Sequence, residues 1–122
     1  MTVDKSLLAG STTMLVLKLL DGQDMYGYQI VQEIAARSGR TIVTQEGSLY
    51  PVLYKLQDQG MISGEKVLIR SYEKDEGAAR PRRYYHLERK GQHLLREKEV
   101  EWATFTTAVD RVLKGGVCLG SA

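Results

Sequence analysis

The strongest constraint on the fold of this 122-residue chain lies in residues 45–62. Four apolar residues recur there at helical spacing and define one side of a helix: Leu49, Val52, Leu53 and Leu56. Such a stripe is buried in a folded protein, so the stretch predicts an amphipathic helix inside a packed domain. Gly60 is predicted to end the helix, and Met61 and Ile62 to enter a strand.

Two further residues shape the start of this helix. Thr44 is the predicted N-cap, because a hydroxyl before the first turn can accept a backbone N–H. Pro51 removes one hydrogen bond inside the helix and crowds the carbonyl of Gly47, four residues earlier. Since Gly47 has no side chain, the backbone has room to adjust, and a locally distorted but unbroken helix is predicted.

The other side of the same helix is polar. It carries hydroxyl, amide and basic side chains, namely Ser48, Tyr50, Tyr54, Lys55 and Gln57. A short helix that is packed on one side and rich in donors on the other suits insertion into the major groove of DNA. The same pattern is also typical of a surface helix whose polar face meets only water, so the neighbouring elements must decide.

Two helices are predicted before this one. Residues 6–20 end in a run that is apolar nearly all round, which indicates a buried first helix stopped at Asp21 and Gly22. A second helix is predicted from about residue 25 to 37, with Asp24 as its N-cap and Gly39 as the left-handed residue that closes it. Residues 41–43 are either a small strand or an extended linker.

A β-hairpin is predicted after the three helices. Its strands run from about residue 62 to 72 and from 82 to 87, and the charged residues 73–81 form its tip. In the second strand Arg83, Tyr85 and Leu87 share one face. Three helices followed by a two-stranded hairpin are the plan of a winged helix-turn-helix domain. The predicted fold is therefore mainly α with a small β-hairpin wing.

Basic residues concentrate around the second wing strand. Residues 80–90 contain a single acid, Glu88, and five cations: Arg80, Arg82, Arg83, Arg89 and Lys90. Such a cluster can meet phosphates, although a solvated turn would carry similar charges. Because the whole chain has a net charge of only +2, the overall charge does not by itself indicate a nucleic-acid partner.

A long last helix is predicted from about residue 89 to 114. Leu95, Trp102 and Val109 recur every seven residues, Phe105 and Val112 fit the complementary heptad position, and Lys98 fills its remaining place. This seam favours packing against the same helix of a second subunit, the alternative being docking within the chain. The chain is thus divided into a DNA-binding domain (1–88), a dimerisation helix (89–114) and a disordered tail (115–122).

Features of enzymes, metal sites and membrane proteins are not visible. His86 and His93 are seven residues apart, and the single cysteine, Cys118, is far from both, so no compact ligand spacing exists. No nucleophile constellation or phosphate-binding glycine loop is present. We therefore expect no catalysis and no cofactor. With no signal peptide and no apolar run of about 18 residues, a cytoplasmic protein is expected.

The chain resembles the PadR family of bacterial transcriptional regulators over nearly its whole length. Three motifs carry the resemblance in the right order and spacing: YGYQI at 26–30, EGSLYPVL at 46–53, and RYYHL at 83–87 with Gly91 four residues further on. The middle motif, which continues to Leu56 and to Gly60-Met61-Ile62, is the most specific. The resemblance implies a homodimeric winged-helix protein, usually a repressor, whose C-terminal helix supplies most of the dimer interface.

Two departures from the family pattern stand out. The family commonly has Thr at the position of Glu88, where it caps the last helix, so a cap that is weaker, at a cost of ~1 kcal/mol, or differently arranged is predicted. The segment 63–83 is also several residues longer than in short family members. In a multidrug-binding branch of the family, a Trp matching Trp102 lines a pore between subunits. Trp102, with Phe105, is thus a candidate effector site for a planar aromatic compound, the alternative being a residue that only packs.

These observations predict a DNA-binding repressor relieved by a small molecule, acting on an inverted-repeat operator. The residues predicted to contact DNA are Tyr26, Ser48, Tyr50, Tyr54, Lys55, Lys74, Arg80, Arg82 and Arg83. The residues predicted at the dimer interface are Leu95, Trp102, Phe105, Val109 and Val112. The competing hypothesis is a winged-helix module that binds proteins and not DNA.

Overall fold

The computed structural model describes residues 1–62, 69–74 and 82–115, with side chains for 1–59 and 83–115. The helices are α1 (Lys5–Leu8), α2 (Thr12–Gly22), α3 (Gly27–Arg37), α4 (Glu46–Ile62) and α5 (Arg89–Leu113). The strands are β1 (Met25–Tyr26), β2 (Ile69–Lys74) and β3 (Arg82–Leu87). They form one antiparallel sheet in the order β1-β3-β2. The predicted fold class, mainly helical with a β-hairpin wing, is confirmed.

The core is built around α4. Leu49, Leu53 and Leu56 are almost completely buried, and Val52 packs at the edge of the same cluster, as the stripe predicted. Their partners are Val16, Leu17 and Leu20 of α2, Ile30 and Ile34 of α3, and Tyr85 and Leu87 of β3. Full burial of each leucine contributes about 1.5–3 kcal/mol, so this cluster holds the three helices and the wing strand together.

The first predicted helix is two helices in the structure. Residues 9–11 separate α1 from α2, and the carbonyl of Leu8 accepts hydrogen bonds from the hydroxyls of Ser11 and Thr12 and from the backbone N–H of Ser11. Because these hydrogen bonds satisfy the carbonyl of Leu8 at the end of α1, the helix can end there and the chain can turn. The side chain of Asp4 caps α1 by accepting the N–H of Ser6.

The start of the second helix also differs from the prediction. Met25 and Tyr26 form strand β1, opposite Tyr85 and Tyr84 of β3, and α3 begins only at Gly27. Asp24 is therefore not its N-cap. Its carboxylate lies 2.7 Å from Nδ1 of His86, 62 residues further along the chain. The predicted end of the helix is confirmed, since Gly39 adopts a φ of +62°.

Both predicted limits of α4 are wrong. The helix begins at Glu46, the carbonyl of Gln45 accepts the first N–H groups, and the hydroxyl of Thr44 has no hydrogen-bond partner among the described residues. The helix also continues past Gly60 to Ile62, because a helical glycine costs only about 1 kcal/mol and does not alone stop a helix. Accordingly β2 begins at Ile69. Pro51 lies inside the continuous helix, as predicted.

The remaining elements agree more closely with the sequence. Residues 41–43 form no strand and are a linker, held by a hydrogen bond from the N–H of Val3 to the carbonyl of Thr41 and by another from the N–H of Ile42 to Oγ of Ser38. Strand β3 has the predicted bounds. Helix α5 starts after Glu88, whose side chain makes no capping hydrogen bond, as the departure from the family pattern predicted. The predicted tail lies mostly outside the described residues.

Tyr85 is the largest completely buried side chain, and its hydroxyl has no hydrogen-bond partner within the described part of the chain. A buried hydroxyl without a partner costs about 1–3 kcal/mol. We therefore expect Tyr85→Phe to raise the free energy of unfolding by about 1 kcal/mol in urea denaturation. Tyr28→Phe, at a half-exposed tyrosine, serves as the control and should change little. A Tyr85→Phe protein less stable than wild type would show that the hydroxyl is satisfied.

The same residue makes stability depend on alkaline pH. Burial raises the pKa of Tyr85 from 10.0 to about 12. Because the folded state holds this proton more tightly than the unfolded state, the stabilisation is complete below pH 10 and is lost as the pH rises to about 12. Unfolding measured between pH 9 and 12 should therefore show a steeper loss of stability in wild type than in Tyr85→Phe. Parallel curves would contradict this assignment.

Candidate nucleic-acid interface

The exposed side of α4 is formed by residues that recur every three or four positions. Gly47, Pro51, Tyr54, Lys55 and Asp58 are all exposed, while the leucine stripe on the opposite side is buried. Tyr54 is 54% exposed, and the space around Gly47 is open. The first turns of α4 thus present small residues, so another molecule can approach the backbone closely. Gly47 and Pro51 were not among the predicted contacts, although their spacing from Tyr54 places them on this face.

Tyr50 does not belong fully to that exposed side. Its ring is half-buried and packs on the core, and it stacks on Tyr54 with centroids 5.9 Å apart. Its hydroxyl donates a long hydrogen bond, 3.5 Å, to Glu46. Burial, followed by the nearby Glu46 carboxylate, raises the pKa of Tyr50, so the hydroxyl stays protonated. The expectation that Tyr50 simply points outward is wrong, because its position borders the leucine stripe. A DNA contact from this edge stays a prediction.

Other predicted contacts occupy different edges of the domain. Ser48 is exposed, on the side of α4 that faces α1. Tyr26 is half-buried in β1 and packs edge-to-face on Tyr84, with centroids 5.3 Å apart. In the first turn of α3, Tyr28 is 50% exposed. It was not predicted, although it is the second tyrosine of the YGY motif and its exposure follows from facing away from Ile30.

The wing carries basic residues at the end away from α5. Lys74 and Arg82 are directly opposite each other in the β2–β3 register, and Glu73 is opposite Arg83. Arg83 is exposed. The side chains of Lys74 and Arg82 and the whole of Arg80 lie outside the described residues, so their predicted phosphate contacts stay predictions.

The second half of α5 is a separate apolar surface. Trp102 is 43% exposed and Phe105 58% exposed, and their ring centroids are 6.1 Å apart. They face a groove of about 400 Å³ between α1 and α5, which is also lined by Ser6, Leu7, Gly10, Met14, Lys98 and Glu101. Val112 is exposed and Val109 half-buried. Leu95 differs: it is 3% exposed and packs in the core of its own protomer, so its placement at a dimer interface is wrong.

Metal-binding and membrane-spanning features are not found in the part of the chain that the structure describes. No group of three His, Cys, Asp or Glu side chains there could hold a metal ion. None of the described helices is both long and apolar enough to cross a bilayer.

The fold is similar to those of known proteins. The family model of the PadR-like transcriptional regulators matches residues 16–97. A transcriptional regulator from Clostridium thermocellum has a similar fold, with a TM-score of 0.77 at 24% identity, over 90% of this chain and 97% of that one. A PadR-like transcriptional regulator from Bacillus cereus has a TM-score of 0.71 at 26% identity, over 90% and 98%. For a PadR family regulator from Eggerthella lenta the values are 0.69 and 30%, over 88% and 82%.

The chain therefore belongs to the PadR-like family of transcriptional regulators. It is a winged helix-turn-helix DNA-binding protein, and its class regulates transcription and does not catalyse reactions. In helix-turn-helix proteins the recognition helix enters the major groove, so α4 is the predicted recognition helix, and β2 and β3 are the predicted wing.

Lys55 allows a direct test of the α4 surface. We expect Lys55→Gln to weaken binding to operator and to random DNA by similar factors, and to reduce the slope of log affinity against log salt by about one, because one phosphate contact is lost. Lys114→Gln, just beyond the end of α5, is the control and should leave the slope unchanged. Both quantities can be measured by fluorescence anisotropy. An unchanged slope in Lys55→Gln would remove Lys55 from the interface.

Proposed function

We propose that this protein is a homodimeric repressor that binds an inverted-repeat operator and leaves it when a planar aromatic compound binds near Trp102. The observation that carries the proposal is that α4 and α5 expose two different surfaces. The polar, open face of α4 suits DNA. The apolar face in the second half of α5 suits a second subunit and a ligand. Because the target is chromosomal DNA, we place the protein in the cytoplasm.

DNA binding would combine base reading with phosphate contacts. Tyr54 and Ser48 offer hydroxyl donors to base edges or phosphates from α4, and Lys55 offers a charge to the backbone. Tyr28, half-exposed in the first turn of α3, would offer a further hydroxyl from another edge of the domain. The wing would add Lys74, Arg80, Arg82 and Arg83 along the backbone or in the minor groove. Together these groups support the division into a DNA-binding part, residues 1–88, and a dimerisation helix, residues 89–114.

Dimerisation is supported by the apolar stripe on α5. Trp102, Phe105, Val109 and Val112 follow a heptad spacing; Val109 is half-buried in the protomer, and the other three are exposed. An exposed apolar patch of this kind marks an interaction site, because leaving it in water is costly. A two-fold axis through this seam would place two α4 helices on one side of the DNA, so half-sites one helical turn apart, ~34 Å, are expected.

The dimer can be tested without disturbing the core. Truncation after Gly91 would also remove Leu95 from the protomer core, so substitutions further along α5 are cleaner. We expect Phe105→Glu to raise the dimer dissociation constant by about 30-fold or more, as truncating a central aromatic anchor of an interface costs about 2 kcal/mol or more. Thr107→Glu places the same charge on the opposite side of α5 and should dimerise normally in analytical ultracentrifugation. Equal dimerisation by both variants would reject this interface.

The effector site is supported by the groove beside Trp102. Its walls are mainly apolar, with two aromatic rings close together and a carboxylate at Glu101, which forms a 3.7 Å ion pair with Lys98. Flat aromatic cations would stack on the indole and be attracted by the carboxylate. Such a ligand regulates the protein only if it has different affinities for the DNA-bound and free dimer arrangements.

The single tryptophan makes this measurable. Titration with a planar cationic dye should quench Trp102 fluorescence saturably and weaken operator binding in the same concentration range. An uncharged, non-planar compound of similar size serves as the control ligand. Saturable quenching without any effect on DNA affinity would leave a binding site and remove the regulatory role. An absence of quenching across a panel of dyes would favour a Trp102 that only packs between subunits.

The competing function is a winged-helix module that binds proteins. Gel shifts with the promoter of its own gene, repeated across salt concentrations, separate the two. A steep fall in affinity with salt indicates phosphate contacts and supports the repressor. A protein that binds no DNA at low salt would favour the protein-binding module.

A further inference from the structure

Gly27 and Tyr50 are in close contact, although they belong to different motifs of the sequence. Gly27 is the first residue of α3 and is buried. A Cβ placed on Gly27 would lie 2.5 Å from the hydroxyl oxygen of Tyr50, 2.7 Å from Cζ and 3.1 Å from Cε1. Carbon atoms do not approach other heavy atoms so closely, so any side chain at position 27 would displace the ring of Tyr50. Its φ is not in the positive range, so the need for glycine here comes from the ring.

The position of Tyr50 in turn bears on the surface that meets DNA. Its ring stacks on Tyr54 at 5.9 Å with an angle of 29° between the planes. Leu49 and Leu53 hold the other side of the helix in the core. A ring displaced from α3 would therefore press on Tyr54, the side chain on which it stacks. Gly27 thus contacts Tyr50, and Tyr50 contacts Tyr54.

We propose that Gly27 is a positioning residue for operator selection: it lets Tyr50 lie against the start of α3 and so sets where Tyr54 meets the bases. This inference rests on the proposed function, since it assumes that α4 reads an operator. The inference adds that sequence-specific binding requires glycine at position 27, although Gly27 itself need not contact DNA. Because Gly27 carries no charge, its substitution should leave phosphate contacts intact.

The test is a double-mutant cycle on DNA selected from a random double-stranded library by the wild-type protein. The variants are Gly27→Ala, Tyr50→Leu and the double variant, with Gly22→Ala as the matched control. A Cβ at Gly22 would meet nothing within 4 Å, and Gly22 lies at the end of α2. Tyr50→Leu removes the hydroxyl oxygen and both ring carbons that a Cβ at position 27 would strike.

We expect Gly27→Ala to weaken binding to the selected DNA at least tenfold, while affinity for random DNA and the salt slope stay within twofold of wild type. Gly22→Ala should match wild type. In the Tyr50→Leu background the Gly27→Ala substitution should change affinity less than twofold, because the obstructing ring is gone. A residue with a merely structural role would lower specific and random binding together, and urea denaturation of each variant shows whether it is folded.

Three results would overturn the inference. The first is a Gly27→Ala protein that binds the selected DNA with wild-type affinity. The second is a Gly27→Ala protein that loses affinity equally for selected and random DNA. The third is a Gly27→Ala substitution that costs as much affinity in the Tyr50→Leu protein as in the wild type. Each leaves the proposed function intact if the wild-type protein binds its selected DNA. Failure of the wild-type protein to select any DNA would instead reject the proposed function, and this inference with it.

Discussion

Burial of the leucine stripe of α4 is the constraint on which the rest of the structure depends. Leu49, Leu53 and Leu56 pack against α2, α3 and β3 at once, so the three helices and the wing share a single core. A 3.6-residue repeat that buries one side of a helix necessarily exposes the other. The surface proposed to meet DNA is therefore a consequence of the core, and its residues are held by packing on the far side of the same helix.

The wing is joined to this core through β3. Tyr85 lies at the centre of the packing, and Tyr84, the next residue, packs on Tyr26 of β1 on the opposite side of the strand. The short hydrogen bond between Asp24 and His86 adds a second link between the turn before β1 and the wing. Because β3 pairs with both β1 and β2, the hairpin is oriented relative to α4 by the sheet and by the core together.

Helix α5 has two halves with different roles. Its first half completes the core through Leu95, and Gly91 is buried beside it. In its second half, Trp102 and Phe105 are exposed on the surface of the protomer. A continuous helix transmits displacement along its axis, because its backbone hydrogen bonds are not broken by small movements. This arrangement gives the proposed effector and dimer surfaces a physical connection to the DNA-binding part.

Much of this was determined by the sequence alone. Helical and alternating periodicities are local properties, so the inward face of α4, the bounds of β3 and the extent of α5 could all be predicted, and the three motifs identified the family. Predictions from neighbouring residues alone were wrong where a residue distant in the sequence supplied a hydrogen-bond partner. Asp24 looked like an N-cap until His86 supplied another partner, and Met25 and Tyr26 looked helical until β3 supplied theirs.

Only the tertiary structure decided which residues that a helical pattern places on the surface are instead covered by a neighbouring element. Heptad spacing placed Leu95 on the α5 seam, but the packing of α5 on α2 buries it in the protomer core. Helical spacing placed Tyr50 on the polar side of α4, but the absence of a side chain at Gly27 leaves a space that its ring fills. A one-dimensional pattern gives the direction of a side chain relative to its own helix. Whether that direction leads to solvent or to a neighbouring element depends on how the helices cross.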